Sequence, residues 1–117
     1  MTGFFKGVTT TAHPKVVHGY YRYDYTTKQH IISQYNPFSQ QDEIFIVDVD
    51  SVGEDTGLCD YDGRALYVTD IATDQDGNKY KVSKENSMGQ YILADKWGIK
   101  LASLTTNYAR VIKLRKE

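Results

Sequence analysis

The stretch Asp60-Tyr61-Asp62-Gly63-Arg64-Ala65-Leu66-Tyr67-Val68-Thr69-Asp70-Ile71-Ala72-Thr73-Asp74-Gln75-Asp76-Gly77-Asn78 decides the fold class. It begins and ends on turn signals, in each of which Asp hydrogen-bonds its own backbone and Gly supplies the positive φ of a tight reversal. Between them, Arg64 to Thr73 is expected to run as a strand centred on Leu66, Val68 and Ile71, three candidate core residues. Working outward, Lys79 to Val82, Gln90 to Asp95 and Tyr108 to Leu114 read as further short strands. On the N-terminal side, Val16 to Tyr23 reads as a strand, Thr26-Thr27-Lys28 as a turn, and Gln29 to Tyr35 as its returning partner. Asn36 to Asp42 is a polar loop. Ile44 to Val49 follows as a strand whose unbroken apolar start predicts burial on both faces. Turn signals ~8–12 residues apart are the pattern of a sandwich or small barrel. Helix has weaker claims, to one turn at Ser83 to Met88 and to a short helix at Ile99 to Leu104, begun at Gly98 and ended by Thr105-Thr106-Asn107.

The chain has 117 residues and 13.4 kDa, so a single domain over residues 1–117 is expected. Hydrophobic residues at 40% and charged residues at 25% argue for a globular chain. Lys+Arg 14 against Asp+Glu 15 leaves a net charge of −1, without the field of a general phosphate binder or the acidity of a DNA mimic. The apolar run Ile44-Phe45-Ile46-Val47 is far short of the ~20 residues a membrane helix needs. Met1 to Lys6 shows no charged segment leading into an apolar one, so no signal peptide is expected. Cys59 is the lone cysteine, which excludes an intramolecular disulfide and fits a reducing cytoplasm.

Ser51 to Ile71 resembles the signature of the YopX-like family of phage and prophage proteins, T-V-G-Q-Y-T-G-L-x-D-x-N-G-x-x-I-Y-E-G-D-I. The chain follows it without a gap at Val52, Gly53, Thr56, Gly57, Leu58, Asp60, Gly63, Tyr67, Asp70 and Ile71. Upstream, Phe5-Lys6-Gly7 is similar to the family's F-R-G, and Val17-His18-Gly19-Tyr20-Tyr21 to its V-Y-G-Y-Y. The chain departs at Thr69, where the family carries glycine, and at Val16, where tryptophan is usual. Arg110 to Leu114 resembles only the start of the family's C-terminal run. The resemblance implies a β-rich fold, a small SH3-like barrel or roll with short helical turns. It also implies a phage or prophage origin and action in a bacterial host's cytoplasm. It implies no reaction.

Candidate chemistry is sparse. Asp74-x-Asp76-x-Asn78 begins like a calcium loop, but Lys79 stands at the sixth position, where glycine is needed, and only the acidic twelfth position, Glu85, fits. Asp48 and Asp50, two apart on the expected strand, project from one face and suit Mg²⁺ binding, acid–base work or a charged strand edge. His13, His18 and His30 have no metal-ligand spacing, and Cys59 has no assured base to activate it. Arg115 and Lys116 read as a solvated basic end. The expectation is a non-enzyme with no catalytic residue, metal or cofactor.

Binding has better support. Tyr accounts for 10 of the 15 aromatic residues. Tyr20, Tyr21, Arg22, Tyr23 and Tyr25 concentrate rings beside positive charge, with Tyr21, Tyr23 and Tyr25 on one strand face. Tyr and Arg are enriched at interface hot spots, so a protein partner is expected; the resemblance to phage and prophage proteins implies that it is a host or phage protein, an anti-defence target among them. Single-stranded nucleic acid is the alternative partner. No membrane partner is expected, and a homo-oligomer is compatible with the pattern.

Overall fold

The structure, a computed structural model, describes residues 4–85 and 89–117. Its class is β-rich, as the turn spacing predicts, with 55% strand and 8% helix in antiparallel sheets; the described residues close no barrel. The chain divides into two compact units, residues 1–54 and 55–117.

The first unit is built on β1 (Phe4–Val8), β2 (Val16–Asp24), β3 (Gln29–Asn36) and β4 (Gln41–Val47). The strands lie antiparallel in the order β4-β3-β2-β1, and the first residues of β5 (Gly53–Cys59) pair with β1 through Phe5↔Glu54 and Lys6↔Gly53. The hairpins sit where the polar turn residues predict them. Asp24 accepts from the Thr26 N–H and Asn36 from the Phe38 N–H, closing the two reversals with side-chain oxygens. The end of β4 also bonds back beside β1, through Thr10 N to Ile46 O and Asp48 N to Val8 O.

One face of this sheet is the core. Val17, Ile32 and Val47 are buried, with Phe5, Tyr21, Phe45 and Val52 packed against them. Gly19 is demanded by close approach, since a Cβ there would lie 1.9 Å from the Ser33 carbonyl oxygen.

The Ile44 to Val49 strand is corrected in two respects. It ends at Val47, and a 3-10 turn follows over Val49–Ser51. Ile44 and Ile46 are exposed rather than buried, because β4 pairs with β3 alone along most of its length and only alternate residues face the core.

In the second unit, the later residues of β5 pair with β6 (Ala65–Tyr67), and β7 (Ile71–Thr73), β8 (Lys79–Glu85), β9 (Gln90–Ala94), β10 (Lys100–Ser103) and β11 (Arg115–Lys116) form a sheet ordered β10-β9-β8-β7-β11. Its core is Leu66, Ala72, Val82, Leu93, Leu104, Ala109 and Leu114. The expected strand from Arg64 to Thr73 is two strands, β6 and β7, parted by a turn in which Thr69 holds φ 84°. The break changes which side chains point inward: Leu66 is core as expected, Val68 is half-buried, and Ala72 replaces Ile71.

Two expectations exchange places near the C-terminus. Ile99 to Leu104 is not helical: it holds β10, which pairs with β9 across a bulge. Tyr108 to Leu114 is not a strand. Helix α1 spans Thr106–Val111, and Thr105, expected to end a helix, starts one by accepting the Tyr108 N–H at 3.1 Å. The helix buries Ala109, with Ile112 packed on the same core three residues on. The helical turn expected at residues 83–88 is also displaced, since Ser83, Lys84 and Glu85 belong to β8; Asn86, Ser87 and Met88 lie outside the described residues. No helix among the described residues is long and apolar enough to cross a membrane.

Candidate interaction surface

The period of two along β2 divides the tyrosine-rich segment between the sheet's faces. Tyr21 and Tyr23 lie on the core side. The Tyr21 ring tilts against Phe5, with centroids 5.5 Å apart, and stacks on His30 at 5.8 Å, its hydroxyl 2.5 Å from His30 Nδ1. Tyr23 packs edge-on against Tyr25 at 4.8 Å and tilts over His30 at 4.9 Å. His30 therefore serves the packing of these rings. Tyr25 sits in the turn after β2 and is 83% exposed.

Tyr20 and Arg22 occupy the opposite, outward face. Register carries this face across the sheet as one row through Phe4, Tyr20, Ser33 and Ile44, and another through Arg22, Ile31 and Ile46. Tyr20 is 56% exposed, Tyr35 59% and Ile44 59%, with Val16 and Ile46 also exposed. The Phe4 ring meets Tyr20 edge-on at 6.2 Å. Between the rings lies a recess of about 350 Å³ lined by Phe4, His18, Gly19, Tyr20, Ser33, Gln34, Tyr35 and Asp42. Ile31, in the second row, is buried, so the exposed apolar side chains of this face stand among polar ones, Ser33 and Arg22; exposed rings and aliphatic side chains set among polar groups suit a contact surface. Ile44 and Ile46 are not among the expected contact residues because the unbroken apolar run of β4 reads as buried on both faces; its acidic first half, Asp42-Glu43, is the signal of an exposed edge strand.

The candidate carboxylates are engaged in structure. Asp48 and Asp50 do not share a strand face, because the strand stops at Val47; Asp48 caps the following 3-10 turn, accepting the Asp50 N–H at 3.2 Å. Asp70 is buried and accepts the Tyr67 N–H at 2.8 Å. Asp74 takes the N–H groups of Asp76 and Asn78 and the Tyr80 hydroxyl. Burial raises the Asp74 pKa, but these hydrogen bonds outweigh it and hold the carboxyl below its usual value. Burial and the bond to Asp74 push the Tyr80 hydroxyl up to about 12. Among the described residues, no three His, Cys, Asp or Glu side chains gather as a metal would require. Cys59 is exposed.

Arg115 and Lys116, expected as a solvated end, form β11, an edge strand paired with β7. Asp60 is the reason. Its Oδ1 accepts from Asp62 N and Arg64 N at 2.9 Å each, and its Oδ2 from Arg64 Nε at 3.2 Å and Lys116 N at 3.1 Å. The Arg64 guanidinium in turn donates to the Lys116 carbonyl at 2.6 Å, and Lys116 Nζ to the Ala65 carbonyl at 2.8 Å. Comparison of the chain with protein-family models, curated proteins and solved structures gives no match.

Proposed function

We propose that this chain is a non-catalytic accessory protein of phage or prophage origin that acts by binding a host or phage protein, a defence component among the candidates. The contact surface in this reading is the outward face of the N-terminal sheet, centred on Tyr20, Tyr35 and Ile44. The observation that carries it is the joint exposure of these three side chains beside the recess, on strands whose opposite face is a packed core. Rigid support matters, because ordered rings lose little conformational freedom on binding. The non-catalytic part of the reading is supported by the hydrogen bonds that commit Asp48, Asp70 and Asp74 to caps and turns. The phage origin is supported by the YopX-like resemblance over residues 5–71.

The alternative strip of Tyr20, Tyr21, Arg22 and Tyr23 as a nucleic-acid surface is less favoured, since alternate residues face opposite sides of the sheet. The test is affinity capture from bacterial lysate with tagged wild-type chain and an Ile44→Asp variant, at low and high salt, with and without nuclease. A discrete protein retained through salt and nuclease but lost with Ile44→Asp is expected. Capture that disappears with nuclease, or that ignores Ile44→Asp, would overturn the reading.

A further inference from the structure

The C-terminal unit carries a recess of its own, of about 300 Å³, lined by Ile71, Lys79, Tyr80, Lys81 and Lys96. Three of these five residues are lysines. Lys79 and Lys81 are two apart on β8, opposite Thr73 and Ile71, so both project from one sheet face. Lys96 reaches the recess from the β9–β10 turn, its Nζ 4.5 Å from the centre of the Trp97 ring. Trp97 is 74% exposed.

Two of the three lysines, Lys81 and Lys96, have no carboxylate at ion-pair distance among the described residues. Asp74 is saturated by backbone, Asn78 and Tyr80 donors. Asp95 accepts the N–H groups of Trp97 and Ile99. Lys81 has no acidic partner among the described residues, and Lys79 has Glu117 at 3.7 Å, both side chains exposed.

We propose that this recess is a short binding site for single-stranded nucleic acid, with Lys79, Lys81 and Lys96 meeting phosphates and Trp97 receiving the face of a base. Lysine meets a phosphate as a compact point charge on a flexible stem, with no fixed bidentate geometry to satisfy. The arginines of this unit lie elsewhere, Arg64 on Asp60, Arg115 on Asp62 and Arg110 in α1. An exposed indole beside the charge supplies the stacking that single strands use and peptides do not require. The site is independent of the protein-binding face of the N-terminal unit, and either stands if the other fails.

The test is fluorescence anisotropy of a labelled oligothymidylate with the full chain, titrated with salt, alongside quenching of the indole emission. Three phosphate contacts give a slope of log affinity against log salt near −2, a roughly 20-fold loss between 50 and 200 mM. Lys81→Ala and Lys96→Ala should each make the slope shallower by about 0.7. Glu117→Gln, which removes the built-in competitor of Lys79, should tighten binding, a gain that misfolding cannot produce. Absence of binding at low salt, indifference to both lysine variants, or equal competition by a polyglutamate peptide of the same length would overturn the proposal.

Discussion

Asp60 and Thr69 show how single residues fix the C-terminal unit. Burial of Asp60 raises its pKa, but the backbone N–H groups of Lys116, Arg64 and Asp62 outweigh that and hold it below the ordinary 3.8. A carboxyl depressed in the folded state stabilises the fold above its unfolded pKa, and this contribution is lost as pH falls from about 4 toward the folded value. Asp60→Asn should therefore lower stability at neutral pH by about 2–3 kcal/mol, because an amide nitrogen would face donors. It should also flatten the loss of melting temperature below about pH 4, and thermal melts across that range check both. Thr69 is a β-branched residue in the left-handed region, at φ 84°. Thr69→Gly should raise stability by about 1 kcal/mol, read from urea midpoints. Propensity alone gives no sign of this conformation, because a β-branched residue is the least expected one in the left-handed region.

At the level of elements, three hairpins are closed by the same four-residue device. Asp60, Asp74 and Asp95 each accept the N–H groups two and four residues ahead at 2.9 Å, and Gly63, Gly77 and Gly98 each follow three residues on with φ 81–84°. The first two were legible as Asp-x-Asp-Gly. Asp95-Lys96-Trp97-Gly98 carries the same Asp-x-x-Gly spacing, and reading it as a turn would have placed β10 after it instead of a helix. Gly98→Ala should destabilise by about 1 kcal/mol from its left-handed backbone alone, since the space beside it is open. Gly19→Ala should cost roughly 1–3 kcal/mol for a different reason, the Ser33 carbonyl in the path of its Cβ; denaturant melts of the pair measure both. The α1 helix was missed because its six residues give period 3.6 little room to register, and its start signal, Thr105, was read as a stop.

On the scale of the whole molecule, turn chemistry announced the β-rich class, while tertiary context decided which strand faces were buried. The run Ile44-Phe45-Ile46-Val47 reads as core from composition, yet its position at the sheet edge exposes every second residue. The tyrosine segment was legible as unusual, but only the cross-strand register links Tyr20 to Ile44 through Ser33 and sets Tyr21 and Tyr23 on the other side. The central claim is that this outward face is the protein's working surface. Hydroxyl-radical footprinting of the captured complex against the free chain tests it directly. Protection of Tyr20, Tyr35 and Ile44, with Tyr25 and Trp97 modified at their free rates, is the expected result. Unchanged modification of those three side chains in a complex that survives salt and nuclease would contradict it.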